Sequence, residues 1–188
     1  MASKLNHVIA FDDAPFAPAH RGDVAVVGVI YADHRPEGVL VTKVRRDGAN
    51  ATARLARAVL GSRHYRHLRL VLLQGIALAG FNVVDIDDLS KQTGLPVLVV
   101  SRLKPDPEAV RRALLSRVPG GQRKWRLVRR AGASKMVAGM WIQRAGLSSD
   151  AASDVLRHFA IHSKLPEPLR LAHLVAGALG GGESRHRP

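Results

Sequence analysis

The stretch LVLLQGIALAGFNVVDIDD, residues 70–88, carries the pattern that decides the fold. It continues an apolar run, Leu68–Leu73, whose length and flanking turn residues predict a strand buried on both faces of a sheet. In α/β proteins the carboxyl end of such a strand is the usual place for site chemistry. Here that end carries Gln74-Gly75, and the next acid is Asp85. The protein is an enzyme only if the neutral amide of Gln74 can replace an acid in the chemistry expected at this strand end.

The segments around this strand alternate between strand-like and helix-like patterns. Asn82 and Asp85 have the spacing of a capping box, which places the next helix start at Asn82. The predicted strands are Val8–Phe11, Val24–Tyr31, Gly38–Val44, Leu68–Leu73, Val97–Arg102, Trp125–Arg130 and Met136–Gln143, and the predicted helices are Asn50–Leu60, Asn82–Thr93, Pro107–Val118, Ser148–Ile161 and Pro166–Leu179. The three opening strands indicate an antiparallel meander, and the later alternation requires a parallel part of the sheet. This order predicts an α/β fold with a mixed sheet and flanking helices, as in ribonuclease H-like proteins.

Length and composition limit the class of protein. A chain of 188 residues fits one domain, predicted at 1–179, with a flexible tail, GGGESRHRP, at 180–188. The absence of cysteine excludes disulfides, thiolate catalysis and cysteine-bound zinc. No apolar run approaches the roughly 20 residues of a membrane span, and no secretory signal is visible. We therefore expect a cytoplasmic protein without a membrane partner.

The charge of the chain indicates a polyanionic partner. The net charge is +14, with 22 arginines, 7 lysines and only 4 glutamates. An arginine excess suits DNA or RNA, because the guanidinium group pairs with phosphate oxygens through two hydrogen bonds. The alternative is a GC-rich genome, which raises the arginine content of a protein without any such partner.

Three basic segments are candidates for contact with phosphates. One cluster precedes the central strand, two cations leave the following strand at its carboxyl end, and RKWRLVRR (residues 123–130) would present a basic face if it formed a strand. The predicted nucleic-acid-binding residues are Arg63, Arg66, Arg102, Lys104, Lys124, Arg126 and Arg130. For the last segment the alternative is a solvated edge strand protected by its charges.

Four motifs in this order resemble a known family. They are FDDAPF (11–16), GSRHYRHLRLVLLQGIALAGFNVVDI (61–86), TGLPVLVVSRLKP (93–105) and LPEPLRLAHLVA (165–176). Together they resemble a mainly archaeal family of uncharacterised proteins that is distantly related to endonuclease V. That relationship implies a ribonuclease H-like fold and an ancestor that uses magnesium to cut nucleic acid near inosine.

The resemblance also implies positions for metal-binding acids. Endonuclease V has acids on the first strand, near the third strand and at the end of the central strand. The first falls on Asp12. The second falls on Val44 without a gap, and a shift of three residues reaches Asp47. The third falls on Gln74, so an amide replaces the expected acid.

Other parts of the endonuclease V site are matched less completely in this sequence. A basic residue after the next strand falls on Arg102, where endonuclease V has lysine. A late histidine expected before the helix at Ser148 is absent, with Ala145 or a neighbour in its place, and no aromatic wedge occurs at Arg35–Gly38. The segment LPEPLRLAH, residues 165–173, corresponds to the structural start of a helix.

Cleavage with two metal ions needs several carboxylates within about 4 Å of the paired ions, and magnesium prefers anionic oxygen ligands. The sequence offers one set for a single Mg²⁺ or Mn²⁺ ion, Asp12, Asp13 and Asp47, with Asp12 and Asp47 as the predicted ligands. Each has an alternative role in a turn, before Pro15 or before Gly48. Convergence of the three carboxylates within about 5 Å would favour the metal site.

Two further polar groups have simpler interpretations. Asp85, Asp87 and Asp88 complement the dipole at a helix start. His158 and His162 have the i, i+4 spacing of a helical metal pair. No third ligand is apparent in the sequence, which favours a solvated or partly buried histidine pair.

The sequence leaves three hypotheses. The leading one is an endonuclease V-related domain that binds nucleic acid through arginines around the carboxyl edge of the sheet and has a degraded metal site. The second is a magnesium-dependent nuclease or phosphodiesterase that uses Asp12, Asp13 and Asp47. The third is a non-enzymatic scaffold or oligomerising protein whose arginines are solvated.

Overall fold

The β-branched segments form the strands, in a computed structural model that describes residues 5–181. The strands are β1 (His7–Asp13), β2 (Asp23–Ala32), β3 (Arg35–Arg45), β4 (Leu70–Gln74), β5 (Ala77–Leu78), β6 (Asn82–Val83), β7 (Val97–Ser101), β8 (Lys135–Val137) and β9 (Met140–Ala145). Seven of them make one sheet in the order β3-β2-β1-β4-β7-β9-β8, and β5 and β6 form a separate hairpin. The antiparallel β1–β2–β3 meander and the parallel β1–β4–β7 part confirm the predicted mixed sheet.

Helices cover both faces of this sheet because its central strands are apolar on both sides. The helices are α1 (Ala51–Leu60), α2 (Ile86–Thr93), α3 (Pro107–Arg117), α4 (Gly121–Arg130), α5 (Ser149–Phe159) and α6 (Glu167–Gly181). Along β4, Val71 and Leu73 pack in the layer that contains α1 and α2. Leu70 and Leu72 face the opposite layer, which contains α5 and α6. This alternation also decides which helix layer each polar residue at a strand end faces.

The strand predicted at Trp125–Arg130 is wrong, because these residues are the last turns of α4. The helical period places Gly121 and Lys124 together on a buried side, whereas Arg126 and Arg130, four residues apart, are exposed. A β-carbon on Gly121 would lie 1.9 Å from the carbonyl oxygen of Leu114, so α3 and α4 approach each other at this glycine. Packing against α3 therefore decides between two periodicities that the sequence allows.

The helix predicted to start at Asn82 begins four residues later, with Asp85 as its N-cap. Asn82 lies in β6 and is fully buried. Its Nδ2 donates to the Arg45 carbonyl and to Asn50 Oδ1, each at 2.8 Å, and its Oδ1 accepts from the Ala51 N–H at 3.0 Å. These long-range bonds join β6 to the end of β3 and the start of α1, so they override the local capping pattern.

The ends of the chain add two observations. The predicted tail at 180–188 lies outside the described residues except for positions 180 and 181, which belong to α6. Among the described residues no helix combines the length and the apolar character that crossing a membrane requires.

Candidate active site

Strands β1, β4 and β7 run parallel, so their carboxyl ends meet at one side of the sheet, which we call the carboxyl edge; the opposite side is the amino edge. Phe11 on β1 is the register partner of Leu73 on β4. Asp12 and Gln74 are therefore the next residues on adjacent strands, and Gln74 is in register with Val100 on β7. Adjacent strands lie about 4.8 Å apart, which brings the two side chains into the same neighbourhood.

Asp12 is held by a histidine from α6. It faces the same layer as Ala10, which packs with α6, and its Oδ2 lies 2.7 Å from Nδ1 of His173 in a hydrogen bond. The side chain of Asp12 is 9% exposed and that of His173 is 23% exposed. The pair is therefore largely protected from solvent, with the histidine on its outer side.

The environment of Asp12 raises its pKa to about 6. Burial is the largest cause, because it disfavours the charged carboxylate, and the negative charge of Asp13 adds to it. The hydrogen bond and the charge of His173 act in the opposite direction. Burial also raises the pKa of Asp13. A bound cation would stabilise both carboxylates in their ionised form.

Gln74 contributes an oxygen that has no partner. Its Oε1 is buried and has no hydrogen-bond partner among the described residues. Gly75, which follows, has φ of 80°, a conformation that turns the chain sharply away at the end of the strand. A buried carbonyl oxygen without a donor costs about 1–3 kcal/mol, and a cation at the carboxyl edge would remove that cost.

Asp13 and Asp47 hold the tip of the β5–β6 hairpin. Asp13 Oδ2 accepts a hydrogen bond of 2.9 Å from the Ala79 N–H. Asp47 Oδ1 accepts one of 2.8 Å from the Phe81 N–H, and its Oδ2 lies 3.2 Å from Nε of Arg46. Asp47 also has φ of 49°, as a turn residue. Both acids therefore have structural partners, and both oxygens of Asp47 are engaged.

The predicted set of Asp12, Asp13 and Asp47 does not converge. Within residues 5–181 the one group of three histidine or acidic residues whose ligand atoms all lie within 4.8 Å is at the amino edge. A site for paired metal ions, which needs several converging carboxylates, is therefore not formed by these three residues.

The carboxyl edge still fits a single hard cation. Magnesium is commonly bound by one or two carboxylates together with water and substrate phosphates. Asp12 offers Oδ1, since its Oδ2 is hydrogen-bonded to His173, and Gln74 offers its unpartnered Oε1. These two oxygens are the candidate protein ligands, and a substrate phosphate would supply the missing negative charge.

The structure separates the predicted phosphate contacts into two regions. Arg102 and Lys104 are exposed just after β7, at the carboxyl edge. Arg63 and Arg66 precede β4, and the nearby Arg69 N–H bonds to His7 at the start of β1. These two arginines are exposed at the amino edge, away from Arg102 and Lys104, and their contact with nucleic acid stays a prediction.

The three predicted contacts on α4 have different environments. Lys124 is 4% exposed and its Nζ donates to the Asp47 carbonyl, and burial lowers its pKa. Arg130 pairs with Asp85 and lies 3.7 Å from Asp87 at the start of α2. These contacts agree with a structural role of Asp85 and Asp87 at the start of a helix. They also engage the guanidinium group of Arg130, which is then not free to bind a phosphate. Of the three, only Arg126 is exposed and forms no ion pair with the described residues.

A largely apolar cavity of about 550 Å³ opens beside Gly75. The hairpin and the helices α3 and α4 form its walls, and its lining includes Phe81, Trp125, Lys104 and Gln143. Its volume lies within the roughly 300–1,000 Å³ of small-ligand pockets. It lies next to the end of the central strand, on the sheet face that Ser101 and Gln143 share with the α1–α2 layer, whereas the side chain of Gln74 faces the α5–α6 layer.

His173 is the site residue that the sequence reasoning missed. By the family resemblance, the segment LPEPLRLAH is the structural start of a helix, and the late histidine is expected before α5. The helical spacing of Leu169, Ala172 and Ala176, all fully buried, places His173 close to the buried side of α6. A histidine at the border of an apolar helical face was the available signal.

Comparison with known proteins identifies relatives along nearly the whole chain. A family model described as endonuclease dU matches residues 4–180. A UPF0215 protein of Deinococcus radiodurans is 53% identical over 181 residues, which are 96% of this chain and 92% of the relative. A UPF0215 protein of Methanothermobacter thermautotrophicus is 44% identical, with coverage of 95% and 89%.

Solved structures agree with the fold. A crystal structure of an Archaeoglobus fulgidus protein of unknown function is similar with a TM-score of 0.87 and 33% identity, covering 94% of this chain and 99% of that one. Human ENDOV gives a TM-score of 0.57 at 17% identity, with coverage of 93% and 84%. Ciona intestinalis endonuclease V, in complex with DNA containing inosine, gives 0.56 at 13%, with coverage of 91% and 84%. At these identities the last two show the fold alone, which is ribonuclease H-like and of the endonuclease V type.

Proposed function

Because the chain belongs to the endonuclease dU family, we propose that it is a metal-dependent endonuclease that cuts DNA at deoxyuridine. The observation that carries the proposal is the Asp12–His173 hydrogen bond next to the unpartnered Gln74 Oε1 at the carboxyl edge. Buried acids with raised pKa values are concentrated at catalytic sites. The family description names the nucleotide, and the related fold in the Ciona structure is bound to DNA.

Asp12 and Gln74 would hold a Mg²⁺ or Mn²⁺ ion through Asp12 Oδ1 and Gln74 Oε1. Such an ion, when bound, supplies stabilisation of the negative charge that develops on phosphodiester oxygens. Asp12 must be ionised for this role, and the hydrogen bond from His173 favours its ionised form. The neutral amide of Gln74 then serves as an oxygen donor that adds no further negative charge beside a phosphate.

His173 orients Asp12 and carries a proton at the same place. Its Nδ1 is hydrogen-bonded to Asp12 Oδ2, which restricts the rotamer of the carboxylate. Histidine is the side chain that most often transfers protons in catalysis near neutral pH. We assign it the positioning of Asp12 and proton transfer to or from groups at the scissile phosphate.

Binding of the polymer would use the exposed cations at the carboxyl edge and on α4. Arg102, Lys104 and Arg126 are exposed there, and contacts of this kind supply most of the sequence-independent affinity for nucleic acid. The cavity beside Gly75 is a candidate pocket for an extrahelical base, since enzymes that act at a particular base take it out of the stack. Phe81 and Trp125 provide its aromatic walls.

A cleavage assay tests the proposal. Labelled single- and double-stranded oligonucleotides containing one deoxyuridine, one deoxyinosine or only ordinary bases would be incubated with Mg²⁺, Mn²⁺ or a chelator. The proposal expects a cut near deoxyuridine that needs a divalent ion. Intact strands in every condition would overturn it.

Binding without cleavage is the second candidate function. It is favoured by the structural partners of Asp13 and Asp47 and by the neutral Gln74, which together leave few anionic ligands. In that case the protein would bind DNA or RNA with an affinity that falls steeply with salt and does not depend on magnesium. The same oligonucleotides, in a binding titration with and without Mg²⁺, distinguish the two functions.

A further inference from the structure

A second cluster of metal-ligating side chains lies at the amino edge. Asp33 and His34 form the turn between β2 and β3, and His158 lies in the last turn of α5. Asp33 donates its N–H to the Asn6 carbonyl beside the start of β1. Since β1 rises about 3.3 Å per residue, this cluster is roughly 17 Å from Asp12. It therefore has no part in the candidate active site.

The three side chains bring their possible ligand atoms close together. One ligand atom from each of Asp33, His34 and His158 lies within 4.8 Å of the other two. The two imidazole rings are stacked with their centroids 4.5 Å apart, and Phe159 lies edge-on to both of them. Phe159 is fully buried, so it fixes the end of α5 that carries His158.

The contact between His158 and Asp33 suits a cation. Nε2 of His158 lies 2.7 Å from Asp33 Oδ1 and forms an ion pair with it when the imidazole is protonated, but this buried nitrogen has no hydrogen-bond partner among the described residues. A nitrogen lone pair and a carboxylate oxygen at that distance repel each other unless a positive charge lies close to both. A metal ion that binds both atoms would supply that charge in place of a proton.

We infer that Asp33, His34 and His158 form a binding site for a divalent transition-metal ion, with Zn²⁺ as its representative. Two imidazoles and one carboxylate are a common zinc ligand set, with a fourth position left to water. Imidazole nitrogen favours zinc and its neighbours in the first transition row over magnesium and calcium, which prefer oxygen. The ligand set thus differs in kind from the oxygen ligands at the carboxyl edge.

Metal binding requires His34 to rotate out of its stack on His158, because a ring nitrogen binds a metal ion in the plane of its own ring. Around a tetrahedral zinc ion with bonds of about 2.0–2.1 Å, neighbouring ligand atoms lie roughly 3.3 Å apart. The present separations of up to 4.8 Å are closed by rotation of His34, which is exposed on the turn. The bound ion would join the β2–β3 turn to the end of α5.

Zinc binding by the untagged full chain tests the inference. Isothermal titration with Zn²⁺ is expected to give one ion per chain, with at least about tenfold weaker binding in His34→Ala and in His158→Ala, because each removes one ligand. Asp33→Asn is expected to weaken binding too, and asparagine tolerates the positive φ of 57° at this position. Zn²⁺ should raise the Tm of the wild type but not of His34→Ala.

One control variant identifies the site. His162→Ala removes an exposed histidine four residues from His158 and outside the group, and it should bind zinc as the wild type does. The inference is overturned if the wild type binds no zinc, if His34→Ala binds it normally, or if the loss occurs in His162→Ala instead.

Discussion

The molecule contains two histidine–aspartate pairs at opposite edges of one sheet, each with a nitrogen and an oxygen 2.7 Å apart. At the carboxyl edge Asp12 is 9% exposed and forms a hydrogen bond with His173. At the amino edge Asp33 is 53% exposed, and its contact with His158 is not a hydrogen bond. The same pair of residue types therefore has different chemistry at the two edges, because its burial, its alignment and its neighbours differ. The neighbour at the carboxyl edge is the amide oxygen of Gln74, and the neighbour at the amino edge is a second imidazole, His34.

Matched removal of the two carboxylates gives the largest expected difference. Asp12→Asn should lower metal-dependent cleavage by at least about 100-fold, since even partners of metal ligands are worth about 10- to 100-fold. Asp33→Asn makes the same chemical change at the amino edge and should leave cleavage unchanged. Single-turnover rates on a deoxyuridine oligonucleotide measure both. Comparable losses in the two variants would remove the functional difference between the edges.

Matched removal of the two histidines should follow the same order with a smaller effect. His173→Gln is expected to lower cleavage by roughly 10- to 100-fold, because it removes the partner that orients Asp12. His158→Gln should cleave as the wild type does. If His173 transfers a proton in addition to positioning Asp12, its loss also changes the pH profile of the cleavage rate. A purely structural role would not alter that profile.

Burial of Asp12 should appear as a pH dependence of stability. Its pKa of about 6 in the folded chain exceeds the 3.8 of a free side chain, so the folded state holds this proton more tightly. The resulting stabilisation is complete below about pH 4 and is lost as pH rises through about 6. Asp12→Asn does not titrate, so relative to the wild type it should gain on the order of 1–3 kcal/mol in unfolding free energy between pH 4 and pH 7.5. The free energy of unfolding of both proteins would be measured by urea denaturation at several pH values. If the two curves of this free energy against pH are parallel, the pKa of Asp12 is not raised.

Charge reversal at each edge tests which surface meets nucleic acid. Arg102→Glu with Lys104→Glu should weaken binding about tenfold and reduce the slope of log affinity against log salt by about 2, since each lost phosphate contact contributes about 0.9. Arg63→Glu with Arg66→Glu changes the net charge equally at the amino edge and should have a clearly smaller effect. Equal losses would indicate nonspecific attraction to a basic protein.

The role of Asp47 gives the smallest expected effect. As a clamp for the hairpin it needs only an oxygen acceptor, so Asp47→Asn should keep stability within about 0.5 kcal/mol and retain cleavage, whereas Asp47→Ala should lose about 1–2 kcal/mol. Asparagine also tolerates the positive φ at this position. Loss of cleavage in a stable Asp47→Asn variant would restore Asp47 as a metal ligand.

The layered sheet could be predicted from sequence because its strands are encoded locally. The apolar run that ends at Leu73 and the β-branched segment that begins at Val97 have no competing pattern. The segment after Lys124 has two compatible periodicities, and only contact with α3 selects the helix. Asn82 likewise has a local role as a helix cap and a tertiary role as a buried connector, and the tertiary role prevails.

The candidate site was harder to predict because its members are far apart in sequence. Asp12 could be identified from its position at a strand end, but its partner His173 lies 161 residues away. The amino-edge cluster joins His158 to a turn more than 120 positions earlier, and the sequence suggested His162 instead. Only the packing of α5 and α6 on the sheet brings these histidines to their acids.

Anomalous diffraction from a crystal soaked with Mn²⁺ in the presence of an uncleavable deoxyuridine oligonucleotide tests the central claim most directly. The account predicts a manganese peak at the carboxyl edge, bonded to Asp12 and adjacent to Gln74, with a phosphate oxygen completing its ligands. A peak bonded to Asp13 and Asp47 instead, or no peak at Asp12 while the oligonucleotide is bound, would contradict it.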